Sequence, residues 1–253
     1  MKQMERNEGG ADICTEKTHI RRFEQGVLTD FEEILLTEDA FTLFLDGAFF
    51  AKFTCTGKNI KELAVGHLFC MGVIQSPKEV KMFSIQEKPG EIYVETPCEK
   101  PLVPNRSSEK EAVPESNYGI MNKMLADLNY NAIVAAFKEF QEYSPLFKQT
   151  GSAHSAALFD QKYNICYFFE DVGRHNAVDK VIGRALMDGF CFRNSMLMTS
   201  SRMPLELIKK AKGCNIPVVM SISAPTAESV RFARENRIVL IGMFRGNRIN
   251  VYS

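Results

Sequence analysis

SMLMTSSRMPLELIKKAKGCNIPVVMSISAPTAESVRFARENRIVLIGM, residues 195–243, holds three short apolar runs separated by two amphipathic ones. The runs at 195–199, 217–222 and 238–243 have strand length and no helical period, whereas 205–212 and 227–236 carry apolar residues at helical spacing. Pro204 suits a helix first turn and Gly213 a helix end. Short apolar runs alternating with helices of about ten residues predict an α/β layered sheet buried on both faces. Upstream, 156–159 and 164–169 read as further strands and 176–187 as a helix closed by Gly189. Residues 131–143 form an amphipathic helix through Ile133, Val134, Phe137 and Phe140, ended by Ser144-Pro145.

The first half differs in character. Strand-like runs at 33–36, 40–45 and 48–53 surround an Asp46-Gly47 turn. Asn59 opens a helix whose Ile60, Leu63, Ala64, His67 and Leu68 share one face, with His67 expected as a hydrogen-bonded core histidine. Two more strands are expected at 81–87 and 91–96. The charged, Gly-containing residues 1–19 read as a flexible tail, and 97–117, rich in Pro, Glu, Ser and Lys, as a mobile loop. The expected organisation is a small α/β domain over 20–118 and a larger one over 119–253.

Composition narrows the function. The 253 residues are 45% hydrophobic and 25% charged, enough apolar material for a core without staples. Lys and Arg number 31 against 31 Asp and Glu, so the molecule carries no overall basic footprint for nucleic acid or an anionic membrane. No apolar run approaches the roughly 20 residues that span a bilayer, and the polar start lacks a signal-peptide core, so a cytoplasmic protein is expected. Seven Cys at 14, 55, 70, 98, 166, 191 and 214 include no CxxC pair, which argues against a disulfide framework and a four-thiolate zinc site. Most of them read as small buried hydrophobes.

Three strand-to-helix loops share one chemistry: 170–176 (EDVGRHN), 199–204 (TSSRMP) and 221–226 (SISAPT). Ligands of such sheets gather at the carboxyl ends of strands, where helix N-termini favour phosphate. Arg174 and Arg202 add bidentate donors, and Gly173 offers close backbone approach. Asn176, Ser201 and Thr226 are also competent helix caps, but three such loops in register favour an anionic ligand. His154, in Thr150-Gly-Ser-Ala-His-Ser155, reads equally as a capping turn or a ligand contact. Arg245, Asn247 and Arg248 around Gly246 read equally as a solvated hairpin or a cationic ligand strip.

At these residues the chain resembles a known family. The string 170–180 (EDVGRHNAVDK), with Ser200-Ser-Arg202, Ser223-Ala-Pro-Thr226, Glu62-Leu-Ala-Val-Gly66 and Asn250-Val-Tyr252, is similar to the formate dehydrogenase accessory sulfurtransferases (FdhD). The resemblance, from about residue 30 onward, implies a three-layer, cytidine deaminase-like C-terminal domain, a smaller α/β domain before it, and a homodimer. It implies sulfur transfer from a cysteine desulfurase to the molybdenum bis-guanine-dinucleotide cofactor of formate dehydrogenase, with GDP or GTP as partial mimics. The implied cofactor strip is Met243, Phe244, Arg245, Gly246, Asn247 and Arg248, joined by Arg174, His175, Ser201 and Arg202 from the loops. The family's CxxC falls here on Glu115-Ser-Asn-Tyr118, where no thiol exists to hold a persulfide. Cys98 is the nearest thiol, so the catalytic residue is left unassigned, and a non-catalytic cofactor escort is the alternative. A zinc deaminase is excluded by residues: His154 is followed by Ser155-Ala156, and no PCxxC is present, so no metal site is expected.

Overall fold

The computed structural model describes residues 14–97 and 129–253. It begins with a long hairpin, β1 (Thr15–Glu24) and β2 (Val27–Leu36), paired in unbroken antiparallel register from Thr15↔Leu36 to Glu24↔Val27. Residues 15–19, expected in a flexible tail, are therefore strand. The expectation failed because Thr15-Glu-Lys-Thr-His19 carries no apolar alternation, whereas the hairpin is closed by a ten-pair backbone ladder to partners 13–21 positions away. Lys17 pairs with Glu32 at 2.9 Å, Arg22 with Glu33 at 2.8 Å, and the Arg22 guanidinium lies 3.5 Å over the Phe31 ring. Residues 1–13 lie outside the described residues, as do the expected loop over 97–117 apart from Pro97 and the expected boundary near 119.

The hairpin is followed by β3 (Asp39–Leu45) and β4 (Ala48–Cys55), joined at Asp46-Gly47 with both residues at positive φ, as a tight hairpin turn requires. Helix α1 (Ile60–Cys70) and strands β5 (Met82–Gln86) and β6 (Glu91–Glu95) complete a four-stranded sheet in the order β4-β3-β6-β5. Its inner face (Leu43, Leu45, Phe53, Ile92 and Val94) packs on Ile60, Leu63, Ala64 and Leu68 of α1.

The second half holds α2 (Tyr130–Glu142), α3 (Pro145–Thr150), β7 (His154–Phe159), β8 (Ile165–Asp171), α4 (Arg174–Met187), β9 (Met196–Thr199), α5 (Leu205–Gly213), β10 (Val218–Ser221), α6 (Ala227–Asn236), β11 (Val239–Arg245) and β12 (Arg248–Val251). Pro145 opens α3 rather than only ending α2, and α4 begins at Arg174, capped by Gly173, two residues before the expected start. The six strands are ordered β12-β11-β10-β9-β7-β8, with β9, β10 and β11 parallel. Alternate residues face opposite layers. Leu158, Leu197, Val219 and Leu240 pack against α4, α5 and α6, while Phe159, Met198, Met220 and Ile241 pack against α2. The result is the three-layer α/β arrangement read from the alternation.

The two sheets meet through helices. One side of α1 serves the four-stranded sheet, and the other crosses α4 at Gly66 and Gly183. A Cβ on Gly66 would lie 1.9 Å from the Asp179 carbonyl oxygen, and one on Gly183 would lie 2.0 Å from the Glu62 carbonyl oxygen. Only bare backbone fits, so small residues here set the helix separation. Gly183→Ala must push the helices apart, at a cost of about 3 kcal/mol or more. Urea denaturation should show that loss; a change under about 1 kcal/mol would contradict the close crossing.

Candidate functional site

Strands β8, β9, β10 and β11 end on the same edge of the six-stranded sheet, because β7 runs antiparallel to both β8 and β9. The loops singled out in the sequence therefore converge, together with His154 at the start of β7. They are tied to one another by backbone and hydroxyl bonds. The Ser221 hydroxyl donates to the Ser201 carbonyl at 2.5 Å, the Met203 N–H to the Ala224 carbonyl at 3.2 Å, and the Met243 N–H to the Ser223 carbonyl at 2.9 Å. The Ser200 N–H reaches the Ser155 carbonyl at 3.0 Å, and the Ser200 hydroxyl accepts from the Ser155 N–H at 2.9 Å. Gly242 permits this packing, since a Cβ there would sit 2.6 Å from the Ser223 carbonyl oxygen.

Much of the string 170–180 is spent on internal wiring. The two Glu170 carboxylate oxygens accept the Leu146 and Phe147 N–H groups at 2.9 and 3.0 Å, anchoring the start of α3. Burial nevertheless pushes the Glu170 carboxyl above its ordinary value. Asp171 and Lys180 form a fully buried ion pair. The Thr56 N–H and hydroxyl donate to Asp171 Oδ2 at 3.1 and 3.0 Å, and Lys180 Nζ donates to Thr56 Oγ1 at 2.7 Å. Asp171 Oδ1 accepts from the Gly173 N–H and from Asn176 Nδ2, which also donates to the Thr54 carbonyl at 2.7 Å. The Asn176 amide thus occupies the space over Gly173 that a ligand was expected to use, with Nδ2 only 2.5 Å from an added Cβ. Asn176 is not a cap, while Thr226 is one, accepting from the Ser229 N–H at 3.3 Å. Asp179 binds Lys210 at 2.6 Å and His67 at 3.1 Å, so His67 is the hydrogen-bonded core histidine. Burial would raise Asp179, but Lys210 and His67 outweigh it and hold its carboxyl below the usual range.

The implied cofactor residues divide by exposure. Ser201 is buried, its hydroxyl 2.9 Å from the Arg202 carbonyl it donates to. Phe244 is buried in the core, stacked on Phe137 at 4.7 Å, and Met243 is half-buried at φ 56°. Arg245, Gly246, Asn247 and Arg248 form an exposed turn between β11 and β12, with Arg245 opposite Arg248. Arg245 Nη1 donates to the Ile222 and Phe244 carbonyls at 3.0 and 2.7 Å, leaving Nη2 for a ligand. Arg174 and His175 are half-buried in the first turn of α4, and Arg202 is exposed. Among the described residues, none of these four arginines pairs with a carboxylate. The strand-end acids Glu170 and Asp171 have internal partners, and Glu206 and Glu228 in the first turns of α5 and α6 pair with Lys209 and Arg231 of their own helices. A neutral protein thus presents one cationic edge.

That edge spans four inter-strand steps from β8 to β11, about 19 Å at roughly 4.8 Å each. A ligand engaging both ends must carry more than one anionic group. One strand in from its β8 end, burial first and then the Arg174 charge hold the His154 imidazole below its ordinary value. Burial and Lys210 do the same to His175. Cys98, Glu115 and Tyr118 lie outside the described residues. Among the described residues, no group of three or more His, Cys, Asp or Glu could hold a metal ion, and no helix is long and apolar enough to cross a membrane. Sequence reasoning missed Thr56, Thr54, Lys210 and Ser155. Each meets the 170–180 string only through the fold, Thr56 across 115 positions, and no local spacing signals that.

Known proteins share the sequence and the fold of this chain. The FdhD/NarQ family model matches residues 36–253. The chain belongs to the FdhD/NarQ family. It is 32% identical to the sulfur carrier protein FdhD of Bacillus subtilis (strain 168) over 96% of this chain and 97% of that one. It is 34% identical to the protein of the same name from Sulfurisphaera tokodaii, covering 92% and 94% of the two chains. A crystal structure from Desulfotalea psychrophila, described as a candidate formate dehydrogenase accessory protein, shares the fold. Its TM-score is 0.75 at 24% identity, over 95% of this chain and 97% of that one.

The His154 environment generates a pH test. Its NMR titration midpoint should fall below the ordinary histidine value near 6.5, and Arg174→Gln should move it upward by removing a positive neighbour. A midpoint unmoved in Arg174→Gln would contradict the placement of the guanidinium beside the imidazole.

Proposed function

We propose that this FdhD/NarQ protein binds the molybdenum bis-guanine-dinucleotide cofactor, as cargo, along the strand-end edge and supports its sulfuration for formate dehydrogenase. The observation that carries the reading is the set of four arginines without carboxylate partners, Arg174, Arg202, Arg245 and Arg248, on an edge whose strand-end acids are internally paired and whose helix-start acids, Glu206 and Glu228, pair with Lys209 and Arg231. The cargo fits that chemistry, since its two pyrophosphates are separated anionic groups and the edge is long enough to meet both. The helix N-terminus at Arg174 supplies backbone donors, and the open Gly246 turn, with nothing within 4 Å of an added Cβ, admits close approach. What these residues do is bind and orient. Guanidinium forks hold phosphate oxygens in fixed planes, which orients the molybdenum end relative to the protein.

In the sulfuration reading, a cysteine desulfurase supplies the sulfur and a thiolate receives it. A second reading is favoured by Glu115 and Tyr118, which stand where the family has its cysteines. In that reading the chain escorts the cofactor without transferring sulfur. Both readings share the binding step. Arg245→Ala combined with Arg248→Ala removes two charge-assisted contacts of about 1.5–3 kcal/mol each. Affinity for GDP, measured by calorimetry, should fall at least about tenfold, and wild-type affinity should weaken with added salt. Unchanged affinity in the double variant would place the site elsewhere.

A further inference from the structure

Away from the cationic edge, two thiols from the two halves of the chain meet. Cys70 is the last residue of α1, and Cys214 directly follows α5. Their sulfurs are 4.0 Å apart. The backbones converge as well, since a Cβ on Gly213 would lie 3.6 Å from the Cys70 carbonyl oxygen. Cys214 is 2% exposed, whereas Cys70 is half-buried and packs on the same core cluster. A bonded pair needs about 2.05 Å between sulfurs, so the gap closes by about 2 Å, within reach of side-chain rotation.

We propose that Cys70 and Cys214 are an oxidative modification site, closed into a reversible disulfide by a peroxide-class oxidant, which covalently joins the two modules. Cys70, in the less buried of the two residues, attacks a peroxide oxygen as the thiolate, giving a sulfenic acid and releasing hydroxide. The Cys214 sulfur then attacks the Cys70 sulfur; the S–S bond forms, the S–O bond breaks, and the oxygen leaves as water with the proton of the Cys214 thiol. Two thiols and one hydrogen peroxide yield one disulfide and two waters, with two electrons passing to the peroxide. Burial pushes the Cys70 thiol well up, so thiolate is scarce near neutrality and closure quickens as pH rises; the nearby Lys210 ammonium acts in the opposite sense to burial. The bond would fix α1 to the end of α5, reinforcing the α1–α4 crossing that joins the sheets.

The test treats the full chain with hydrogen peroxide at mildly alkaline pH, blocks remaining thiols with N-ethylmaleimide, and digests it with trypsin without reduction. Mass spectrometry should find peptides 62–78 and 213–231, each with one cysteine, linked to each other. The melting temperature should rise by about 5–10 °C, because a long loop is closed, and should return with dithiothreitol. Cys70→Ser and Cys214→Ser should each abolish both effects. Cys70 found as a sulfinate with Cys214 alkylated, or a linked pair with no reversible thermal shift, would overturn the proposal.

Discussion

Lys180 and Asp171 meet with both side chains removed from water, and the arrangement of the two halves turns on that contact. A buried ion pair recovers its desolvation cost only when the remaining donors and acceptors are also satisfied. Here Thr56 satisfies them, donating twice to Asp171 and accepting from Lys180 through its hydroxyl and its carbonyl. Thr56 follows β4 of the small sheet, whereas Asp171 ends β8 and Lys180 lies in α4. The pair therefore joins three elements from both halves, and losing one partner would strand a buried charge at a cost of about 3–5 kcal/mol. Gly66 and Gly183 make the same joint possible sterically, by letting α1 approach α4 to backbone contact.

The same joint sets the electrostatics of the edge beside it. Asp171 and Glu170 are the carboxylates of the 170–176 loop, and both are consumed, by Lys180 and Thr56 in one case and by the first amides of α3 in the other. Arg174 begins α4 only three residues after Asp171, so the helix that buries Lys180 also carries an uncompensated guanidinium to the edge. Arg202, Arg245 and Arg248 extend that charge across the sheet. A protein with 31 acidic and 31 basic side chains can in this way hold a local cationic strip without net charge.

The sheet was legible because residues 195–243 alternate between strand-length runs and capped helices, and each run is buried on both faces as continuous apolarity requires. The carboxyl-end loops were legible for the same reason: parallel strands send them to one edge. Two features were not. Hairpin β1–β2 begins with the polar residues 15–19, whose backbone partners 32–36 lie further along the chain, so its start imitates a solvated tail. The role of the 170–180 string was half legible. Its polar residues suggested ligand contacts, yet Asp171, Asn176, Asp179 and Lys180 find partners on β4, α1 and α5 that are distant in sequence. Burial of a polar side chain against a remote element leaves no local pattern.

The central claim is that the strand ends of β8 to β11 form one anion-binding edge. Amide hydrogen exchange, followed by mass spectrometry with and without GDP, reads it directly. The account predicts slower exchange together in segments 171–176, 199–204, 221–226 and 243–248, with the outer face of the four-stranded sheet unchanged. Protection confined to other segments, or none at saturating GDP, would contradict it.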